Sequence, residues 1–176
     1  MEKRIDQKTK ALKNLEVGDI FKYAGYEFTK LADEENSCYC LLNDTVFESK
    51  FGDTNDWAKS PIRKRLNEFN KDGSSKAIKG INKRDLVEVS LNYYAYGIPN
   101  GRTTDYITLL SWEERYDYDF EMVKKNSWLR SGGPSGASIA MHLTSSGSSN
   151  YRNVSCSLAV RPALHFKKDL NIEEIK

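Results

Sequence analysis

The chain has 176 residues, 39% of them apolar and 11% aromatic, and a net charge of +2, which suits one globular domain and excludes an intrinsically disordered polymer. No apolar run approaches the roughly 20 residues of a membrane-spanning helix, and the Met-Glu-Lys-Arg-Ile-Asp-Gln-Lys start has no signal-peptide hydrophobic region, so a cytoplasmic protein is expected. Three cysteines, Cys38, Cys40 and Cys156, do not make a disulfide framework and fit a reducing compartment.

The expected organisation is a flexible N-terminus over 1–11, a single domain over 12–170 and a tail over 171–176. Short β-rich runs at Asp19–Tyr23, Glu27–Ala32, Cys38–Leu42 and Val46–Phe51, separated by Ala24-Gly25 and Asp33-Glu34-Glu35-Asn36, read as an antiparallel meander. Ser60-Pro61 starts a helix expected over about 60–70, with Ser60 as the N-cap and Ile62, Leu66 and Phe69 on the buried stripe. After a strand at Asp105–Leu110, a second helix is expected over about 112–124, opened by a Ser111–Glu114 capping box and carrying Tyr116, Phe120 and Val123 inward. Beyond residue 127 the alternating runs Trp128–Ser131, Ala137–Leu143, Tyr151–Cys156 and Leu158–Phe166 read as strands, with a hairpin tip at 144–150. The whole is an α+β fold of mainly antiparallel twisted sheets with two principal helices.

Four segments in order, Trp57-Ala58-Lys59-Ser60-Pro61-Ile62-Arg63, Leu109-Leu110-Ser111-Trp112-Glu113-Glu114, Trp128-Leu129-Arg130-Ser131 and Val160-Arg161-Pro162-Ala163-Leu164, resemble an uncharacterised domain family of Gram-positive bacteria and their phages. That family is distantly similar to the C-type-lectin-like and formylglycine-generating-enzyme fold, so the resemblance implies a C-type-lectin-like domain in which Ala159-Val160-Arg161 belongs to the closing strand. Ser127 stands where the family usually has a second Trp, and Ala159 where it has Gly.

A shared fold does not name an activity, so the chemistry-bearing residues are weighed one by one. Cys38 and Cys40 lie two apart on a strand with no nearby His and read as buried thiols; no copper or zinc site, and no cofactor, is expected. His142 and His165 lie outside any nucleophile or metal motif, and the stretch between Glu121 and Asp169 has no Asp or Glu with which to bridge a sugar through calcium. Arg130 and Arg161 fit ties between loops better than ligand contacts.

Two features point to binding. Residues 59–84 hold nine Lys/Arg against two Asp/Glu, while 105–121 hold six Asp/Glu against one Arg. Tyr93, Tyr94, Tyr96, Tyr106, Tyr116 and Tyr118 give a Tyr-rich middle beside Ser/Gly/Asn-rich loops. The expected contact residues are Arg63, Lys64, Lys79, Lys83, Arg84, Tyr93, Tyr94, Arg130 and Arg152. The expected function is a non-enzymatic binding protein of phage or mobile-element origin, acting in the host cytoplasm on a host protein or ribonucleoprotein, with RNA as a candidate ligand of segment 59–84. An inhibitor of host defence, such as an anti-CRISPR protein engaging an effector or its guide RNA, is one such role. The alternatives are a phage receptor-binding or carbohydrate-binding lectin-like module and a nuclease or other hydrolase.

Overall fold

The computed structural model describes residues 8–175; Met1–Gln7 of the expected flexible N-terminus, Lys176 and the side chain of Phe120 lie outside the described residues. In chain order the strands are β1 (Thr9–Ala11), β2 (Ile20–Tyr23), β3 (Tyr26–Asp33), β4 (Ser37–Leu42), β5 (Phe47–Lys50), β6 (Val89–Ala95), β7 (Ile98–Asp105), β8 (Ile107–Thr108), β9 (Ser127–Gly132), β10 (Ile139–Leu143), β11 (Ser149–Asn153), β12 (Ser157–Val160), β13 (Ala163–Lys167) and β14 (Asn171–Glu174). The helices α1 (Pro61–Leu66) and α2 (Phe120–Val123) are both short. A seven-stranded antiparallel sheet runs β1-β14-β2-β3-β4-β13-β8, a five-stranded sheet β11-β10-β9-β6-β7, and β12 pairs with β5. The five-stranded sheet is mixed, because β6 and β9 run parallel.

Period-two alternation explains how the two sheets share their cores. Cys38, Cys40 and Leu42 point from β4 into the larger core with Phe21, Phe28, Trp57, Leu66, Trp128, Leu164 and Phe166. Tyr39 and Leu41, on the opposite face, join Leu110, Leu129, Met141 and Leu143 in a second, smaller core. Every residue of β4 and of β9 is buried, so both strands are covered on both sides.

Several expected boundaries are corrected. The helix expected over about 60–70 ends at Leu66, because the Asn67 side chain takes over: its Nδ2 donates to the Arg63 and Ile107 carbonyls and its Oδ1 accepts from the Tyr106 and Ile107 N–H groups. The helix expected over about 112–124 is a 3₁₀ turn at Glu114–Asp117 followed by the single turn of α2. Its capping box does form, with Ser111 N–H donating to Glu114 Oε2 at 3.1 Å and Glu114 N–H to Ser111 Oγ at 2.9 Å. Tyr116 faces outward, 61% exposed, while Val123 is buried as expected. Within the segments set aside as flexible terminus and tail, Thr9–Ala11 and Asn171–Glu174 are sheet strands, and β14 lies between β1 and β2.

Candidate functional site

Most of the chemistry-bearing side chains are committed to holding the fold. Arg130 is 3% exposed and forks onto Glu114, Nη1 to Oε2 at 2.8 Å and Nη2 to Oε1, while also donating to the Leu109 and Asn92 carbonyls. Its place among the expected contact residues is therefore corrected to a buried tie between β9, β6 and the 3₁₀ turn. Arg63 meets both oxygens of buried Asp105 through Nε at 2.9 and 3.0 Å, joining α1 to β7. Tyr93 is buried too, with its hydroxyl donating to Asp56 Oδ1 at 2.7 Å. Burial and that carboxylate push its pKa up to about 12, so it stays a neutral donor inside the protein and leaves the expected contact set.

The remaining basic residues divide. Lys83 Nζ lies 5.0 Å above the Tyr106 ring and 5.6 Å above that of Phe69, an arrangement that anchors it locally. Lys64, Lys79 and Arg84 are exposed and form no ion pair within 4.0 Å among the described residues. Arg152 is exposed on β11 and Tyr94 half-buried on β6, on the opposite face of that strand from Tyr93.

The histidines are also enclosed. His142 Nδ1 donates to the Leu143 carbonyl at 3.0 Å, its Nε2 is buried without a partner, and burial holds its pKa below the ordinary value. His165 stacks on Tyr39 with ring centroids 4.5 Å apart and meets Glu34 Oε2 at 2.9 Å. Burial pushes the Cys38 and Cys40 thiols up, which suppresses thiolate formation. No group of three or more His, Cys, Asp or Glu stands ready for a metal among the described residues.

One surface stands apart. At the tip of the β6–β7 hairpin, Tyr96 and Gly97 both have positive φ, 49° and 79°, the pattern of a type I′ turn. Asn or Gly suits the first of these positions; a Tyr there costs about 1 kcal/mol. The ring it presents stacks on Trp112 at 5.0 Å and 20°, and Trp112 in turn meets Tyr116 edge-on at 5.7 Å. Tyr96 is 49% exposed, and Ile98 beside it 69%.

A single hydroxyl anchors this arrangement. Ser131 Oγ accepts from Trp112 N–H at 2.9 Å and donates to Glu113 Oε2 at 2.9 Å, and the other Glu113 oxygen accepts from Gly97 N–H. Tyr96 N–H donates to the Gly132 carbonyl, and Trp112 Nε1 to Ser149 Oγ on β11. Arg115 lies 4.0 Å above the Tyr116 ring and donates to the Gly147 carbonyl. Three segments distant in sequence thus hold a preformed aromatic tip flanked by the Ser-rich 144–149 hairpin. Tyr96 and Tyr116 were visible as part of the Tyr-rich middle; Trp112 was visible as part of a helix start and of the second sequence motif. Their stacking had no local signal beyond the unusual Tyr-Gly turn. Comparison of the chain with family models, with curated proteins and with solved structures finds no match.

Proposed function

We propose that this chain is a non-catalytic binding protein that takes a macromolecular partner on the aromatic tip formed by Tyr96, Trp112 and Tyr116. The observation that carries the reading is Tyr96 itself, held in a left-handed backbone conformation and half-exposed against Trp112. Rigid, partly exposed aromatic rings offer a large contact area at little ordering cost, as in other binding surfaces rich in Tyr and Ser. The engagement of Arg130, Arg63, His142 and His165 in internal bonds favours binding over catalysis. The order of the four sequence motifs supports a C-type-lectin-like domain of phage or mobile-element origin. On that reading the partner is a host protein or ribonucleoprotein, as for an inhibitor of host defence.

A second reading rests on Lys64, Lys79 and Arg84, whose exposed charges suit an RNA backbone. The two separate in one experiment. The protein is immobilised and incubated with host lysate as wild type, as Tyr96→Ala/Tyr116→Ala and as Lys64→Glu/Lys79→Glu/Arg84→Glu, and bound protein, RNA and glycan are identified. Loss of the partner only in the aromatic variant supports the tip. Loss only in the charge variant, with wild-type capture falling steeply with salt, transfers the function to the basic segment.

A further inference from the structure

Arg161 is the second buried arginine, and its surroundings differ from those of Arg130. It is 7% exposed and donates to three backbone carbonyls: Nε to Leu42 at 2.6 Å, Nη1 to Val123 at 3.1 Å and Nη2 to Met122 at 3.3 Å. No carboxylate among the described residues bonds to it. A guanidinium has five N–H groups, so two remain without a protein acceptor among the described residues, one on each terminal nitrogen. Burial pulls its pKa down to about 10, against the opposing pull of Asp44. A buried cation that no carboxylate bonds directly gains from an anion that meets it.

Arg161 lines a pocket together with Ile20, Asn43, Glu121, Met122, Lys124 and Lys125. Thr29 Oγ1 donates to Asn43 Oδ1 at 2.6 Å, which fixes the amide and leaves its NH₂ end as the free donor. Lys124 pairs with Glu121, and Lys125 with Asp44, which lies outside the lining, at 3.0 Å, so Arg161, Lys124 and Lys125 are set against two carboxylates. These five groups leave one positive charge over. Ile20, Met122 and Gly18 supply an apolar wall beside this polar end.

We propose that this pocket binds a small monocarboxylate with a short aliphatic tail. The carboxylate takes the two spare Arg161 N–H groups and the Asn43 amide, and the tail lies along Ile20 and Met122. A carboxylate accepts readily from guanidinium N–H groups, and its single charge matches the surplus of one; a phosphate, near two charges at neutral pH, overfills it.

The test is titration of the ¹⁵N-labelled protein with sodium hexanoate at constant ionic strength, with hexanol and inorganic phosphate as parallel probes. Saturable shifts centred on Gly18, Asn43 and Val123 are expected with hexanoate, and none with hexanol. Lys124→Glu reverses the surplus from a solvent-facing position without touching the Arg161 bonds, and is expected to weaken hexanoate binding by roughly tenfold or more. Arg161→Lys, if it folds, should abolish it. No saturable hexanoate response in the folded wild type, equal binding of hexanol, tighter binding of phosphate, or an unchanged affinity in Lys124→Glu would each overturn the proposal.

Discussion

At Ser60 one hydroxyl serves two backbone groups, accepting from the Ile62 N–H at 3.2 Å and donating to the Phe51 carbonyl. A cap alone is worth about 1 kcal/mol, but here its removal also strands a buried carbonyl. Ser60→Ala is therefore expected to cost about 2–3 kcal/mol in urea unfolding, and a loss below 1 kcal/mol would show that the Phe51 bond contributes nothing. His142 gives the residue scale its pH dependence. Burial lowers its folded pKa below 6.5, so the unfolded chain binds the proton first as pH falls. Stability contributed by the neutral ring is full above about pH 6.5 and declines as pH falls below it. His142→Gln should flatten that part of the stability curve; an identical curve would remove the residue from the acid response.

At the scale of elements, Asn67 terminates α1 with one side-chain hydrogen bond to the Arg63 carbonyl and fastens it to Tyr106 and Ile107 with three more. Asn67→Ala is expected to cost about 2–4 kcal/mol, read by denaturant midpoint, because several partners lose their bonds at once. The same residue shows where sequence reading stops. The Ser60-Pro61 start and the Ile62 and Leu66 stripe were legible, since caps and periodicity are local. The end was not, because Asn67 abandons the helix for Tyr106 and Ile107, forty residues away. Ser111 and Glu114 likewise advertised a helix start and do form their box, yet Glu114 is drawn to Arg130, and the chain makes only a 3₁₀ turn before α2. Strands such as Cys38–Leu42 and Trp128–Ser131 were legible, since apolar runs between turn residues need no knowledge of distant partners, whereas β6 and β7 were not expected and the run over Leu158–Phe166 divides into β12 and β13 in different sheets. Trp57, Leu66, Leu110, Trp128 and Leu164 from the four motifs and α1 are all buried, but Leu110 belongs to the second core and the other four to the larger one.

Across the whole molecule the charge asymmetry of the sequence is partly neutralised in space, because Arg63 from the basic segment meets Asp105 from the acidic one. Charge reversal along residues 59–84 is therefore not uniform in its effect. Arg63→Glu sets a carboxylate against buried Asp105 and is expected to destabilise by about 3–5 kcal/mol. Lys64→Glu, one residue on and exposed, is expected to stay within about 0.5 kcal/mol. Thermal or urea denaturation of the two variants side by side checks this; equal losses would mean that the Arg63–Asp105 pair has no special weight.

The place of β14 sets the order in which the molecule can be completed. Asn171–Glu174 is inserted between β1 and β2, which are synthesised some 150 residues earlier. On the ribosome β2 can pair with β3 as soon as their hairpin emerges, whereas its other edge waits until Asn171–Glu174 has followed. During that interval the unpaired edge of β2 is open to any passing strand. Synthesis rate and chaperone cover over the stretch between β3 and β14 should therefore affect the yield of native protein.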